Sequence, residues 1–381
     1  MKILPDIDRY FQVGSSMKDC DKIKILLFLI QNVDVFVWSL YKGPGVDPEF
    51  VVHKLNVDPS FPLKKQKPRR SDKEHVEAVR SEVRRPWEAG AIREVFFPKW
   101  LANTVVGKKK NGKWKICVDF TNLNRACPKD PFPMRKINQL VDATYGHPRM
   151  SFLDAFQWYH QIALAPEDQE KTTFISPDVN YHYTMMPFGL KNVGATYQWM
   201  MTRMFRDKIG RTVEVYIDDM VVKSKQEGRH IEDLQGVFEV LWQHKLHLNT
   251  EKCSFGVGAG KLLGYLITDR GIEINPDQID AMKRLKPLSN PKEVQKLIGM
   301  LAALNRFISR FADRCQPFYQ LLKKWKGFQW DEECDATFQD LKDYLMQAPM
   351  LTTPEPGEDL FMYLLVSKHV VSAVLLRDQG V

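Results

Sequence analysis

The sequence of 381 residues predicts an α+β fold. Short β-rich runs alternate with helical runs between residues 148 and 270, which is typical of a mixed layer of strands and helices. The segment from 272 to 350 has mainly helical periodicity, and residues 360–376 indicate the start of a further β unit. A chain of this length holds two or three domains. We expect it to divide into residues 1–71, 72–268, 269–350 and 351–381.

The N-terminal part predicts two helices separated by a basic tract. Residues 64–70 carry lysines, arginines and a proline, and form either a solvated linker or an arm that lies on phosphates. A helix follows through Val79 and Val83, and we expect Pro86 to interrupt it near its end, before Gly90 ends it. The earlier helix, within residues 1–46, has an apolar side made of Ile23, Leu26, Leu27, Leu29 and Ile30.

Later elements are indicated by turn and cap residues. The dipeptide Asn111-Gly112 predicts a hairpin that joins two strands within residues 103–120. Asn275-Pro276 and Asn290-Pro291 each place a capping residue before a proline in the first helical turn. The second of these helices carries an apolar stripe and a basic face, which is either solvated or suited to a nucleic-acid backbone.

The composition bounds the function. A net charge of +8 favours a polyanionic partner. Six cysteines stand far apart without a Cys-x-x-Cys pair, which argues against a zinc site or a disulfide framework and for a reducing compartment. No apolar stretch reaches the length of a membrane span, and the N-terminus has no signal-peptide pattern. We therefore expect an intracellular, soluble protein without a membrane partner.

The run Val213–Val222 predicts a hairpin with Asp218 and Asp219 at its turn. In its first arm, apolar residues alternate with Glu214, Tyr216 and Asp218, so the two sets are expected on opposite faces. A solvated turn is the simpler interpretation of an Asp-Asp pair. If the pair is instead buried, it requires a cation, and Mg²⁺ suits carboxylate and phosphate oxygens.

A third carboxylate, Asp154, ends a predicted strand, and a helix is expected to begin near Tyr159. Three carboxylates from two neighbouring strands can hold two divalent ions about 4 Å apart, as in two-metal phosphoryl transfer. The bulky Tyr159 beside them could press on a sugar, where the 2′-hydroxyl distinguishes RNA from DNA.

These motifs together resemble the reverse transcriptase region of a gypsy-type LTR retrotransposon polyprotein, with the plant lineages as the most similar. The resemblance runs in order over nearly the whole chain and rests on the order and spacing of several strings. They are Lys108–Phe120 (KKKNGKWKICVDF), Asn122–Asn124 (NLN), Phe152–Ile162, Met186–Leu190 (MPFGL), Ala195–Gln198 (ATYQ), Tyr216–Asp219 (YIDD), Leu248–Phe255 (LNTEKCSF) and Leu263–Tyr265 (LGY).

The resemblance implies a right-hand polymerase with fingers and palm in 72–268, a helical thumb and connection in 269–350, and a ribonuclease H-like start in 351–381. It implies that Asp154, Asp218 and Asp219 are catalytic and bind two Mg²⁺ ions, with Mn²⁺ as a substitute. Lys252 takes the position of a candidate general acid for pyrophosphate, although a plain surface charge is the alternative. The nucleotide-binding residues by the same resemblance are Lys109 or Lys110, Lys115, Tyr159, Phe188 and Gly189, and the primer grip is Leu263 with Gly264. Phe188 and Leu263 could instead be core residues.

The implied partners are an RNA template, a DNA primer–template duplex and deoxynucleoside triphosphates. The family's chain is part of a larger polyprotein with protease, ribonuclease H and integrase, and it acts in a cytoplasmic retroelement particle with access to the nucleus. A catalytically inactive nucleic-acid-binding remnant is the alternative function. An RNA-dependent RNA polymerase is disfavoured by the bulky Tyr159.

The sequence departs from the family's pattern at several positions. Lys115 stands where Arg is usual and loses the bidentate fork, and Trp158 stands where Gly is usual. Trp199 and Trp242 replace residues that are usually Arg or polar, which suggests the hypothesis of a decaying element copy. Leu365 takes the position of the first catalytic Asp of ribonuclease H, and the remaining acidic residues would lie beyond Val381. We therefore expect no ribonuclease H activity from this chain.

Overall fold

The computed structural model describes residues 10–37, 45–70, 72–108, 114–323, 328–354, 357–366 and 371–377. These residues form two compact units, and the α+β prediction is confirmed. Unit 1 comprises residues 1–140 and 148–258, and unit 2 comprises 141–147 and 259–381. Within the described ranges, no helix combines the length and the apolar character that a membrane span needs.

Unit 1 is organised around a five-stranded sheet. The strand order is β1-β12-β6-β11-β10, in which β6, β11 and β10 are antiparallel neighbours and β1 is parallel to β12. These strands are β1 Gln12–Val13, β6 Arg149–Asp154, β10 Val213–Tyr216, β11 Asp219–Ser224 and β12 Ser254–Val257. The helices of unit 1 are α1 Asp19–Gln31, α2 Lys73–Glu88, α3 Thr121–Ala126, α5 Pro166–Gln169, α6 Val193–Met204 and α7 His230–Gln243, and α4 Ile137–Thr144 begins there.

The core of unit 1 lies between this sheet and its helices. Val215, Val222, Leu234 and Phe238 are all inaccessible or nearly so, because α7 packs on β11 and α6 on β10. The smaller sheets of unit 1 are formed by β2 Val52–His53 with β7 Ala163–Leu164, by β3 Ile92–Glu94 with β9 Asn180–Tyr183 and β8 Phe174–Ile175, and by β4 Thr104–Lys108 with β5 Trp114–Val118. The last pair confirms the two strands predicted within 103–120; its Asn111-Gly112 turn lies outside the described residues.

Unit 2 contains a small antiparallel sheet, a group of helices and a separate strand pair. The sheet is β13 Ala259–Leu262, β14 Tyr265–Thr268 and β15 Ile272–Ile274. The helices are α8 Pro276–Lys283, α9 Pro291–Ala303, α10 Phe311–Arg314, α11 Gln316–Lys323 and α12 Glu332–Met346, and the pair is β16 Leu360–Val366 with β17 Val371–Arg377. Both predicted caps are confirmed, because the Asn275 and Asn290 side chains accept hydrogen bonds from Asp277 N and Glu293 N.

The apolar face predicted for α1 is wrong in part, since of the residues predicted for it only Leu29 is fully buried. Ile23, Leu27 and Ile30 are exposed, whereas Phe28 and Leu29 are buried. The Phe28 ring packs 5.0 Å from that of Phe238 on α7. Residues 25–30 of this helix are all apolar, so its own apolar side chains lie on every side. The buried face is the one on which Phe28 contacts Phe238 of α7.

The predicted interruption of α2 at Pro86 is also wrong. The helix begins after the cap Asp72, whose carboxylate accepts from His75 N, and continues through Pro86 to Glu88. Proline removes one backbone donor, but here it stands in the last turn, and Gly90 with φ of 71° follows the end as expected.

The basic tract 64–70 is tied to neighbouring backbone rather than free along its whole length. The Gln66 side chain bonds to Asn103 and to Asp119 O, and the Arg69 guanidinium lies 2.7 Å from the Asp119 carboxylate. The tract therefore docks beside β4 and β5, and a role on phosphates stays a prediction.

Candidate active site

The strands β10 and β11 form a tight hairpin. Tyr216 pairs with Asp219, which leaves Ile217 and Asp218 as the two turn residues. Ile217 has φ of 49°, in the left-handed region that β-branched residues rarely adopt. The predicted hairpin is confirmed. Its first arm is covered on both faces, however, because Glu214 is as fully buried as Val213 and Val215. The two sets of residues alternate as expected, and the face that carries Glu214 is buried as well as the apolar one.

The buried amide of Gln198 fixes this turn. Its Oε1 accepts a hydrogen bond from Ile217 N at 2.8 Å, and its Nε2 donates to Val215 O at 3.3 Å. Two backbone groups of the strained turn are thereby satisfied from α6. Gln198 belongs to the string Ala195–Gln198, for which the sequence predicted no role. Its position on a helix does not indicate that its side chain reaches the turn.

Asp154 stands directly opposite Asp219. The pairing of β6 with β11 aligns the two residues, and opposed residues of antiparallel strands have Cβ atoms about 5 Å apart. With Asp218 adjacent in the chain, the structure brings the three predicted catalytic carboxylates to one end of the sheet.

Burial disfavours the charged form of two of these carboxylates. It raises the pKa of Asp154 and of Asp219, and for Asp219 the neighbouring Asp154 charge raises it further. Lys252 opposes both shifts, since its Nζ lies 3.1 and 3.3 Å from the two carboxylate oxygens of Asp154. The exposed ammonium of Lys252 therefore acts as a counter-ion of the cluster.

The segment from Asn249 to Cys253 supports the end of β6. Asn249 N donates to Asp154 O at 2.8 Å, and Asp154 N donates to the buried Cys253 Sγ at 3.3 Å. Burial raises the pKa of the Cys253 thiol to about 12. Both backbone groups of Asp154 are thus satisfied by the segment that also carries Lys252.

A buried histidine links the strands behind the carboxylates. The His230 ring lies 2.7 Å from Ser151 Oγ on β6 and 2.8 Å from Ser224 Oγ on β11. Burial lowers the pKa of His230 to about 4. This neutral ring connects α7 to both carboxylate-bearing strands, and the sequence did not indicate it.

Tyr159 lies beside the cluster. It belongs to a 3₁₀ turn, Trp158–Gln161, so the helix expected to begin there is a single tight turn. Gln157 before it has φ of 39°, which directs the chain away from the end of β6. Burial, and to a lesser degree the Asp218 charge, raise the pKa of Tyr159. Its ring centroid is 5.9 Å from that of Phe188.

Phe188 and Gly189 form an open turn. Phe188 is 52% exposed, so the alternative that it is a core residue is wrong. Gly189 has φ of 99°, a conformation that a glycine adopts without strain, and its carbonyl accepts from Asn124 Nδ2 at 2.8 Å. Tyr159 and Phe188 therefore offer two adjacent ring faces.

The remaining predicted residues are placed elsewhere or lie outside the description. Leu263 and Gly264 form the turn between β13 and β14 in unit 2, with φ of 50° and 90°. Lys109 and Lys110 lie outside the described residues, as do the side chains of Lys115 and Trp158. Only the backbone of Lys115 is described, in β5 opposite Gly107.

Comparison with known families agrees with this geometry. Residues 106–267 match the family model described as reverse transcriptase (RNA-dependent DNA polymerase). This segment is a reverse transcriptase domain. Residues 330–381 match the RNase H-like domain found in reverse transcriptase, so the chain combines both domains of a retrotransposon Pol polyprotein.

Curated relatives of this reverse transcriptase domain are transposon polyproteins. The chain is 30% identical over 292 residues to the Pol polyprotein from transposon opus of Drosophila melanogaster, covering 74% of the chain and 29% of the relative. It is 27% identical over 334 residues to that from transposon 297 of the same organism (86% and 31%) and 26% identical over 300 residues to the transposon Tf2-3 polyprotein of Schizosaccharomyces pombe (79% and 22%). The chain thus spans less than a third of these relatives.

Solved structures show the same fold. The foamy viral protease–reverse transcriptase in complex with double-stranded DNA matches with a TM-score of 0.84 and 16% identity, covering 96% of this chain and 76% of that one. The same protein with an RNA/DNA hybrid matches with a TM-score of 0.82 and 15% identity, covering 92% and 47%. The right-hand polymerase fold followed by a ribonuclease H-like start is thereby confirmed.

No preassembled metal cage is present among the residues that the structure describes. Among the described residues, no group of three or more His, Cys, Asp or Glu side chains is arranged to hold a metal ion. This agrees with the chemistry of Mg²⁺ in polymerases, which binds one or two carboxylates and completes its shell with water and substrate phosphates. Burial raises the pKa of the opposed Asp154 and Asp219. Both are hard oxygen donors whose charge a divalent cation would neutralise.

Proposed function

We propose that this chain is an RNA-directed DNA polymerase of a gypsy-type LTR retrotransposon of a plant lineage. The observation that carries the proposal is the register of β6 and β11, which opposes Asp154 to Asp219 and leaves Asp218 at the adjoining turn. Three carboxylates at one sheet end, beside an open aromatic pair, suit metal-assisted nucleotidyl transfer better than structural support.

The carboxylates would hold two Mg²⁺ ions, with Mn²⁺ as a substitute. When bound, such ions activate a primer 3′-hydroxyl and neutralise the triphosphate and the departing pyrophosphate. Asp154, Asp218 and Asp219 provide the negative charge that positions them. Lys252, whose Nζ lies 3.1 Å from the Asp154 carboxylate, would stand beside the bound ions as the proton donor to the pyrophosphate oxygen.

Tyr159 and Phe188 would select deoxynucleotides. Their rings lie side by side, and the Asp218 charge acts on Tyr159, so a sugar bound near the carboxylates would contact Tyr159. We expect Tyr159→Ala to incorporate ribonucleotides about tenfold more readily, because steric exclusion of one hydroxyl is a matter of about 1–3 kcal/mol. Tyr159→Phe, which keeps the ring, is the matched control and should discriminate like the parent.

The proposed partners are an RNA template, a DNA primer–template duplex and deoxynucleoside triphosphates. Support comes from the net charge of +8 and from structural neighbours solved with double-stranded DNA and with an RNA/DNA hybrid. We further propose that the chain works within a longer polyprotein with protease, ribonuclease H and integrase, in a cytoplasmic particle with access to the nucleus. Its own ribonuclease H-like start would be inactive, since Leu365 offers no metal ligand where the family has Asp.

Primer extension on an RNA template with deoxynucleotides and Mg²⁺ tests the proposal. The double variant Asp218→Asn, Asp219→Asn should lose about 10³-fold or more of the rate, because two of the three carboxylates that would hold the metal ions are removed. The exposed tandem pair on α12 provides the control Glu332→Gln, Glu333→Gln, which should extend like the parent. Equal rates in the parent and the Asp218/Asp219 variant would contradict the proposal.

A nucleic-acid-binding remnant is the second candidate, and Trp158 in place of a glycine is the observation that favours it. Pro86 no longer does, since α2 continues through it. If the folded parent binds template but does not extend, and Trp158→Gly restores extension, drift has disabled a polymerase. If neither extends while template stays bound, the remnant is the better account. Ribonucleotides incorporated as readily as deoxynucleotides would indicate an RNA polymerase.

A further inference from the structure

The five-stranded sheet of unit 1 contains a buried cluster of charges that the proposed chemistry does not use. Glu214 on β10 is fully inaccessible, and its Oε1 lies 2.9 Å from Lys223 Nζ on β11, which is also buried. Its other oxygen, Oε2, accepts from the Arg135 guanidinium. Arg135 lies just before α4 and is 33% exposed. A carboxylate without access to water is retained only when it is neutralised in this way.

This cluster bridges the two arms of the carboxylate-bearing hairpin. Glu214 pairs with Val221, so Lys223, two residues further along β11, is its diagonal neighbour on the same face. Tyr216 and Asp219 pair two residues nearer the turn, and the same alternation puts Asp219 on that face as well.

The apolar residues of the hairpin do not define its register. Met220, Val221 and Val222 are consecutive and all buried, so a slip by one residue would still bury apolar side chains on both faces. If β11 slips by one residue, Lys223 moves to the opposite face from Glu214. Because β11 also pairs with β6, the same movement separates Asp219 from its partner Asp154. The charge pair therefore opposes the slipped register, in addition to the bonds of Gln198 to the turn and of His230 to β6 and β11.

We propose that Arg135, Glu214 and Lys223 form a positioning triad that fixes the register of this hairpin and so keeps Asp219 opposite Asp154. The triad acts through the carboxylates and does not touch the substrate. Arg135 adds a tie from the segment before α4, so the register depends on that segment as well as on the two arms. This inference rests on the proposed function, because its consequence is the alignment of the carboxylates.

The test replaces the pair by apolar residues of similar length. Buried ion pairs exchanged for well-packed apolar groups commonly leave a protein as stable as before, so Glu214→Met, Lys223→Met should fold. We expect its kcat in primer extension to fall about 10²-fold, the loss typical of a misplacement of about 1 Å, with KM for deoxynucleotides little changed. Mn²⁺ binding, followed by electron paramagnetic resonance without substrate, should weaken in parallel.

Two further variants separate positioning from plain stability. Lys223→Arg keeps the charge and should restore Mn²⁺ affinity and kcat to within about threefold of the parent, whereas Lys223→Met should not. The comparison of these two single variants tests the proposal even if the double variant does not fold, because in both of them Glu214 keeps its bond to Arg135. Arg80→Met, Asp178→Met removes an exposed ion pair of 2.8 Å and should change neither quantity.

Parent kcat and parent Mn²⁺ affinity in a folded double variant would overturn the triad, as would equal behaviour of Lys223→Met and Lys223→Arg. Failure of the proposed function looks different: the parent itself would neither extend a primer nor bind Mn²⁺.

Discussion

Two antiparallel strand pairs in this chain contrast in how they are supported. The pair β10–β11 is covered on both faces, joined to β6 and crossed by an ion pair. The pair β16–β17 stands alone in its sheet, and Met362, Leu364 and Val371 in it are more than 60% exposed. Both are rich in β-branched and apolar residues. The two pairs therefore differ in what surrounds them and not in strand propensity, and the burial of Asp219 beside Asp154 depends on those surroundings.

The largest expected effect comes from one charge placed in each pair. Val215→Asp would bury a carboxylate where the parent side chain is inaccessible, and we expect a loss of more than about 4 kcal/mol in the free energy of unfolding. Val371→Asp, at a position 72% exposed, should change it by about 0.5 kcal/mol or less. Urea denaturation of both variants measures the contrast, and equal losses would remove it.

Gln198→Ala probes how the buried hairpin keeps its turn. Ile217 N would lose its acceptor in a buried setting, which costs about 1–3 kcal/mol. Primer extension should fall about tenfold or more, since the adjoining Asp218 and Asp219 depend on the turn. Gln235→Ala on the exposed face of α7 is the control. Undiminished extension by the folded Gln198→Ala variant would contradict the role assigned to the amide.

Acid should weaken unit 1 through its buried histidines. Burial lowers the pKa of His53 and of His230 from 6.5 to about 4. The unfolded chain therefore takes up protons below pH 6.5 while the folded chain does not. The free energy of unfolding that the two neutral rings contribute is fully present above pH 6.5. It is lost as the pH falls to about 4, by up to about 3 kcal/mol for each ring.

Urea midpoints at pH 7.5 and pH 5 check this expectation. His230→Gln keeps a hydrogen-bonding side chain without the titration, so its midpoint should shift less between the two pH values than that of the parent. A parent midpoint that does not move over this range would show that these rings titrate normally in the folded chain.

The smallest effect concerns the two tryptophans. Trp242 is 67% exposed and its indole donates to Asp34 at 3.0 Å, while Trp199 lies 5.4 Å from the Arg203 guanidinium. We expect Trp242→Arg to change the free energy of unfolding by less than about 1 kcal/mol and to leave extension unchanged. A larger loss would mean that Trp242 is an adapted residue, which would weaken the hypothesis of a decaying copy.

Sequence reasoning placed the carboxylates because local patterns carry them. Alternation over β10, a strand ending at Asp154 and the family motifs were sufficient for Asp154, Asp218 and Asp219. It failed where the partner is distant in sequence: the bond of Gln198 to Ile217 and the pairing of Glu214 with Arg135 have no local signature. Alternation placed Glu214 on the face opposite Val213 and Val215, but it cannot reveal that this face is buried too.

The same limit explains the errors in the helices. Apolar residues surround α1, so periodicity could not select the side that meets Phe238. Pro86 was expected near the end of its helix, and the error was to expect an interruption there, since the last turn continues through it to Glu88. Capping, by contrast, is local, and Asn275 and Asn290 were predicted correctly.

Cys253 provides a chemical probe of the catalytic sheet. Thiol reagents attack the thiolate, and at a pKa of about 12 the buried Cys253 holds almost none. It can be alkylated only when the backbone around Asp154 parts from it. Cys20 is exposed and serves as an internal standard in the same chain. The ratio of the two labelling rates therefore reports how often the structure around Asp154 opens.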